Sequence, residues 1–91
     1  LVIDDEPNIR YSIQAVFASS SLEVLEASTA RDGLALVESQ QPDAILLDVR
    51  LPDMSGLDAF DRIQSLDARI PVIIMTAFSK TETAIEAMRR G

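Results

Sequence analysis

The sequence predicts an α/β domain in which a parallel β-sheet is covered by helices on both faces. Short apolar segments alternate along the chain with longer segments whose apolar residues recur at helical spacing. Two of the short segments, residues 44–47 and 72–75, are unbroken apolar runs, which is typical of strands buried on both faces. Because crossovers between parallel strands are right-handed, the order β-α-β-α-β-α-β-α favours a doubly wound sheet.

The four predicted strands are short segments bounded by polar residues or proline. They occupy residues 1–3, 22–27, 44–47 and 72–75. The second alternates imperfectly between apolar and polar residues, whereas the third and fourth are continuous apolar runs too short for a helix. These two are therefore expected to be buried strands.

Four helices are predicted from the spacing of apolar residues and from capping signals. The apolar faces of the first three are Ile9, Ile13, Val16 and Phe17; Ala30, Leu34 and Val37; and Leu57, Phe60, Ile63 and Leu66. Pro7 suits the first turn of the first helix, and Ser28 or Thr29 can cap the second. The fourth begins at Ser79 in a capping box and ends with the basic residues 89–90.

Composition restricts the chemistry that the chain can perform. With 91 residues, 47% of them hydrophobic, it is expected to form one small domain with a core. It contains neither cysteine nor histidine, so thiol catalysis and imidazole proton transfer are excluded, and we expect a cytoplasmic protein. The formal net charge of −7 argues against direct nucleic-acid binding and favours a cation or a basic partner. No segment of the sequence is long and apolar enough to span a membrane.

Acidic residues end two of the predicted strands, and a hydroxyl follows another. These residues are Asp4, Asp5, Asp48 and Thr76. In open parallel sheets, ligands bind outside the carboxyl ends of the strands, so the four side chains are expected to converge. Three neighbouring carboxylates repel one another and raise at least one pKa unless a cation lies among them. Oxygen ligands of this kind favour Mg²⁺, which would leave a carboxylate free to act as a nucleophile toward a phosphoryl group.

Each of these residues, taken alone, also fits a purely structural role. Asp4 and Asp5 would stabilise the N-terminus of the first helix, and Asp48 or Thr76 would suit a turn or a cap. The agreement of three strand ends favours a functional site over these roles. Asp53, which follows Pro52 in the sequence, is assigned to the turn after the third strand.

Three motifs resemble the receiver domains of bacterial two-component response regulators. They are Asp4-Asp5-Glu6, LLDVRLPDMSG with Asp48, and PVIIMTAFS with Thr76, and the resemblance covers essentially the whole chain. The segments VRLPDMSGLDAF and PVIIMTAFSKTETAIEAMRRG are most similar to the NtrC-like, nitrogen-regulation class, whose receivers control sigma-54-dependent transcriptional activators. The resemblance implies a single receiver domain over residues 1–91, with a flavodoxin-like fold and strand order 2-1-3-4.

The resemblance also implies a role for each site residue. Asp48 would accept a phosphoryl group from a phosphohistidine of a sensor histidine kinase. Asp5 would ligate Mg²⁺ directly, Asp4 would help to hold it, and Asp48 and the backbone carbonyl of Arg50 would complete the protein ligands. Thr76 would move its hydroxyl toward the phosphate. The implied partners are the kinase and the output domains of the same protein, a sigma-54-interacting ATPase and a DNA-binding domain.

The family pattern continues beyond the sequence. Its fifth strand, fifth helix and phosphate-pairing lysine would follow Gly91, so we expect a receiver that is incomplete at its C-terminus. The strand at residues 72–75 is then an open apolar edge, through which we expect a homodimer, aggregation, or completion by a segment of another chain.

Two other functions remain alternatives. One is a receiver-like interaction module that works without phosphorylation. The other is a Mg²⁺-dependent phosphatase with an aspartate nucleophile, which is disfavoured because Asp4 and Asp5 cannot point the same way on an extended strand. We therefore expect a signalling domain rather than an enzyme.

Overall fold

A computed structural model of the chain describes residues 1–75, in which strands and helices alternate. The elements are β1 (Val2–Ile3), α1 (Pro7–Phe17), β2 (Glu26–Ala27), α2 (Ala30–Gln40), β3 (Ile45–Asp48), α3 (Gly56–Leu66) and β4 (Val72–Met75). The predicted fourth helix and Thr76 lie outside the described residues.

The sheet has four parallel strands in the order β2-β1-β3-β4, which confirms the predicted topology. Val2 lies opposite Glu26 on one side and Leu46 on the other, and Asp48 lies opposite Met75. Because all the strands run in one direction, the loops after β1 and β3 leave the sheet at the same edge and next to each other.

The two faces of the sheet are covered by different helices. On one face α2 and α3 enclose the core, whose buried members are Ile3, Ala27, Ala30, Val37, Ile45, Leu47, Ala59, Phe60, Ile63 and Ile70. On the other face Val2, Leu46 and Ile73 line a groove together with Ile13 and Phe17 of α1. Successive residues of a strand point to opposite faces, so the continuous apolar runs have contacts on both sides.

The predicted apolar face of α1 is only partly correct. Ile13 and Phe17 are half-buried, but 72% of Val16 and 37% of Ile9 are exposed, and α1 has no fully buried residue. In α3 the buried face includes Phe60 and Ile63, as predicted, while 44% of Leu66 is exposed at the end of the helix. Helical spacing identifies an apolar face, but what covers that face depends on the neighbouring elements.

The second and third strands differ from their predicted bounds. The second covers Glu26–Ala27 rather than residues 22–27, and these two residues lie opposite Val2 and Ile3 of β1. The third covers Ile45–Asp48 rather than residues 44–47, so Asp48 is itself the last paired residue of a strand.

The strand β4 forms one border of the sheet as far as the described residues show. Within residues 1–75 it pairs with β3 alone, and 58% of Ile73 is exposed. The predicted homodimer through this edge stays a prediction. None of the helices in the same part of the chain has the length and the apolar run needed to cross a membrane.

Candidate functional site

The acids that end β1 and β3 come together at the carboxyl edge of the sheet. One carboxylate oxygen from each of Asp4, Asp5 and Asp48 lies within 4.8 Å of the others. The cause is the strand order, because β1 and β3 are neighbours and their last residues emerge side by side. The expected convergence of the three carboxylates is therefore found, whereas Thr76 lies outside the described residues.

Asp4 is the buried member of the cluster. Only 5% of it is exposed, and its backbone N–H donates to the carbonyl of Ala27 in β2 at 3.0 Å. Its Oδ1 accepts a hydrogen bond from the backbone N–H of Glu6, the N-cap residue of α1, at 2.9 Å. Asp4 is thus fixed by both its backbone and its side chain, while Asp5 beside it is exposed.

Asp48 is half-buried, and burial raises the pKa of its carboxyl above the ordinary value. A hydrogen bond from the Arg50 N–H to Asp48 Oδ1, 3.3 Å long, opposes this effect, but the negative charges of Asp4 and Asp5 raise the pKa further. The net shift is upward. The site therefore favours a positive charge among its carboxylates.

The loop between β3 and α3 turns sharply back on Asp48. The Gly56 N–H donates to the carbonyl of Val49 at 2.7 Å. A Cβ atom at position 56 would lie 2.6 Å from the Val49 Cα and 2.9 Å from the Asp48 carbonyl carbon, and it would contact the Asp48 carbonyl oxygen. Glycine is needed here because backbone atoms occupy the space that a side chain would take.

Asp53 connects this loop to a different element. Its Oδ1 and Oδ2 accept hydrogen bonds from the backbone N–H groups of Ala30 and Arg31, at 2.9 Å and 2.8 Å. Thr29 adds the N-cap of α2, because its side chain accepts from the Asp32 N–H at 3.1 Å. Together these bonds satisfy three of the N–H groups that a helix leaves free at its start.

The assignment of Asp53 to a turn was incomplete. Its slight burial would raise the pKa of the carboxyl, but the hydrogen bonds from Ala30 and Arg31 outweigh this and lower it. The sequence contains a signal for the cap at Thr29, yet no local pattern connects α2 with an acid in the loop after β3.

Arg10 is a second residue that the sequence did not reveal. It lies in the first half of α1, and its Nη1 donates to the backbone carbonyl of Asp4 at 2.7 Å. Its Nε donates to Glu26 Oε1 at 3.2 Å, so one guanidinium joins α1 to the end of β1 and to β2.

The donor set of the site suits a hard divalent cation. All three clustered side chains are carboxylates, and the site combines one buried, one half-buried and one exposed ligand. Oxygen donors of this kind bind Mg²⁺ while leaving positions for water or for a substrate. The roles of these residues and of Arg50 in binding stay predictions.

A profile of one family matches the whole chain. It is the response regulator receiver domain, matched over residues 1–91. Among curated proteins, the chain is 41% identical over 91 residues to the regulatory protein AtoC of Escherichia coli K12. It is 38% identical over 91 residues to the transcriptional regulatory protein ZraR of the same strain. These matches span 100% of the chain but only 20% and 21% of the two relatives.

A solved structure with the same architecture is the receiver domain of NtrX from Brucella abortus. The superposition has a TM-score of 0.90 at 30% sequence identity and covers 99% of the chain and 77% of that structure. These findings confirm both the predicted fold and the predicted resemblance to receivers of the NtrC-like class.

Proposed function

This chain belongs to the response regulator receiver domain family, a signalling rather than an enzymatic module, and from this premise we propose that Asp48 is its phosphoacceptor. We propose further that residues 1–91 form one receiver domain, that the donor is a sensor histidine kinase, and that phosphorylation controls a transcription-activating part of the same protein. The observation that carries the proposal is the cluster of Asp4, Asp5 and Asp48 at the carboxyl edge of the sheet.

The surroundings of the acids support Asp48 as the acceptor. Asp53, in the following loop, has both carboxylate oxygens engaged by backbone N–H groups at the start of α2. Asp4 is buried, whereas Asp48 is half-buried at the end of a paired strand. A nucleophile needs both a fixed position and access for the donor, and Asp48 combines the two.

The residues that would hold Mg²⁺ are Asp4, Asp5, Asp48 and the backbone carbonyl of Arg50. When bound, the ion neutralises the carboxylates and the charge of the incoming phosphoryl group. The raised pKa of Asp48, caused first by burial and increased by its acidic neighbours, is the property of this cluster that supports a cation site.

The transfer itself needs one ionised oxygen of Asp48. That oxygen attacks the phosphorus of the phosphohistidine, an O–P bond forms, and the N–P bond breaks with its electron pair leaving on the imidazole nitrogen, which takes a proton from solvent. The carboxylate of Asp48 becomes a mixed anhydride. We propose that the Thr76 hydroxyl then donates a hydrogen bond to the bound phosphoryl group.

The output is proposed from the relatives. AtoC and ZraR are named as regulatory and transcriptional regulatory proteins, and the chain spans about a fifth of each, 20% and 21%. We infer that the whole protein contains a sigma-54-interacting ATPase and a DNA-binding domain and that it acts in the cytoplasm. The net charge of −7 supports DNA binding by those other domains rather than by this chain.

A homodimer through β4 is a further part of the proposal. It is supported by the exposed Ile73 and by the pairing of β4 with β3 alone among residues 1–75. Light scattering at rising concentration should reveal dimers, and a monomer at every concentration would contradict this part.

Phosphorylation of matched variants tests the proposed function. The protein in its full encoded length is incubated with Mg²⁺ and acetyl phosphate, and the phosphorylated fraction is measured by mass spectrometry. Asp48→Asn should abolish the modification. Asp53→Asn, the same substitution in the same loop, should retain it. Equal phosphorylation of wild type and Asp48→Asn would reject the acceptor, and an unmodified wild type that still activates transcription would favour the phosphorylation-independent alternative.

A further inference from the structure

We propose that Arg10 is a positioning residue, which holds the backbone of Asp4 and thereby sets the cation affinity of the acidic site. The inference rests on the proposed function, because it assumes that the cluster of Asp4, Asp5 and Asp48 binds Mg²⁺. Arg10 itself is neither a ligand nor a catalytic residue in this account.

The first observation is the contact between Arg10 and Asp4. The Nη1 of Arg10 donates to the Asp4 carbonyl at 2.7 Å, the shortest contact of its side chain. Only 19% of the Arg10 side chain and 5% of Asp4 are exposed, so water has little access to replace this donor. A buried carbonyl that loses its partner carries a cost in free energy, which moving the backbone would relieve.

The second observation is that Arg10 is itself held in place. Its Nε donates to Oε1 of Glu26 at 3.2 Å, and the other oxygen of Glu26 accepts from Nε2 of Gln14 at 3.0 Å. Arg10 and Gln14 lie one turn apart on α1, so they share a face of the helix. Gln14 also donates to the carbonyl of Val24, two residues before β2, at 3.0 Å, which connects α1 to this segment at a second point.

The third observation is that, within residues 1–75, Arg10 donates the one hydrogen bond found at the Asp4 carbonyl. The Asp4 N–H is paired with Ala27 and its Oδ1 with the Glu6 N–H, and Arg10 holds the carbonyl between these two bonds. The orientation of the Asp4 carboxylate toward Asp5 and Asp48 therefore depends on the guanidinium as well as on these two bonds. Groups that orient a metal ligand in this way commonly change metal affinity by about 10- to 100-fold when removed.

Gln14 provides a matched control. Like Arg10 it joins α1 to β2 through Glu26, but it makes no hydrogen bond to Asp4. If Arg10 only stabilises the packing of α1, both substitutions will lower stability and leave Mg²⁺ affinity alone. If Arg10 positions Asp4, only the Arg10 variant will change the affinity.

The test measures the Mg²⁺ dissociation constant by titration calorimetry and the free energy of unfolding by urea, in the full-length protein. Arg10→Ala should weaken Mg²⁺ binding by about 10-fold or more, and Gln14→Ala should leave it unchanged. Arg10→Lys should not restore the affinity, because an ammonium lacks the fork that reaches Asp4 and Glu26 together. At saturating Mg²⁺, Arg10→Ala should again be phosphorylated by acetyl phosphate.

Three outcomes would overturn the inference. They are an unchanged Mg²⁺ affinity in Arg10→Ala, equal weakening in Gln14→Ala, and full affinity in Arg10→Lys. If Arg10→Ala fails to fold, Arg10→Lys is the deciding variant. Weakened Mg²⁺ binding by Arg10→Lys would then support the inference, and unchanged Mg²⁺ binding would contradict it. If the wild type is phosphorylated on Asp48 and Arg10→Ala has the same Mg²⁺ affinity as the wild type, only the role of Arg10 is rejected. A wild type that binds no Mg²⁺ would reject the proposed function as well.

Discussion

The loop after β1 and the loop after β3 bring acids to the same edge of the sheet, but they restrain those acids differently. After β1 the chain enters α1 almost at once, and Asp4 is held by β2 and by Arg10. After β3 a longer loop precedes α3. Its close contacts involve Gly56 and Asp53, whereas the carboxylate of Asp48 accepts a longer hydrogen bond from the Arg50 N–H.

This difference separates a fixed half of the site from an accessible half. Asp4 is buried with its backbone bonded on both sides, which suits a residue that shapes a cation site. Asp48 is half-buried, and the bond that its Oδ1 accepts from the Arg50 N–H is long, at 3.3 Å, which suits a residue that must react. The following predictions test the residues at the end of β3 and in the loop after it. They are ordered from the largest expected effect to the smallest.

Gly56→Ala should have the largest effect. Its Cβ would meet backbone atoms of Asp48 and Val49, which cannot move without shifting the end of β3. We expect the free energy of unfolding to fall by about 3 kcal/mol, at the upper end of the usual cost of overpacking. Urea unfolding of the purified protein measures this loss.

Gly33→Ala is the control for this prediction. Its Cβ would lie 2.8 Å from Cγ1 of Ile3, which is a side chain rather than backbone. A gain of about 1 kcal/mol in helix propensity partly offsets the crowding. Equal losses in the two variants would contradict the claim that the backbone at Asp48 makes Gly56 necessary.

Asp53→Ala should have an intermediate effect. The change removes both acceptors from the N–H groups of Ala30 and Arg31, so the start of α2 loses its connection to the loop. We expect a loss of about 1 kcal/mol in the free energy of unfolding, as for other helix caps. Glu38→Ala, exposed on the same helix, is the control and should change stability by less.

The dependence of stability on pH should show the smallest effect, and its sign should differ between Asp48 at the end of β3 and Asp53 in the loop that follows. Burial and then its acidic neighbours raise the folded pKa of Asp48, so its ionised form destabilises the fold at neutral pH. Without Mg²⁺, Asp48→Asn should therefore increase the free energy of unfolding at pH 7, by no more than about 1 kcal/mol for charges this exposed. The gain should disappear as pH falls through the pKa of Asp48.

Asp53→Asn should behave in the opposite way. The pKa of Asp53 is lowered in the fold, despite a small opposing effect of burial, because backbone N–H groups donate to its ionised form. Its contribution to stability is present above its unfolded pKa and is lost as pH falls through the folded one. Unfolding curves at several pH values measure both variants, and changes of the same sign would contradict this account.

The sequence predicted the parts of the structure that depend on local pattern and on topology. The bounds of β4 were correct. The convergence of Asp4, Asp5 and Asp48 was correct as well, because strand order alone places neighbouring strand ends together. What it could not predict depends on contacts between distant residues. The bond from Asp53 to α2 spans 23 positions and that from Arg10 to Glu26 spans 16, and no periodicity encodes either of them.

The length of the second strand is a similar case. Residues 22–27 have a strand-like pattern, but only Glu26 and Ala27 have partners in β1. A strand exists only where another strand pairs with it, so its length is a property of two segments rather than one. The same reason explains the exposed Val16, whose helical spacing identifies a face of α1 but not what covers it.

The most direct test of the central claim is to map the modified residue. The full-length protein is treated with Mg²⁺ and a phosphoryl donor, and borohydride then converts any aspartyl phosphate to homoserine, which peptide mass spectrometry locates. The account predicts homoserine at Asp48 in wild type and in Asp53→Asn, and none in Asp48→Asn. Homoserine at Asp4, Asp5 or Asp53 in the wild type would contradict it.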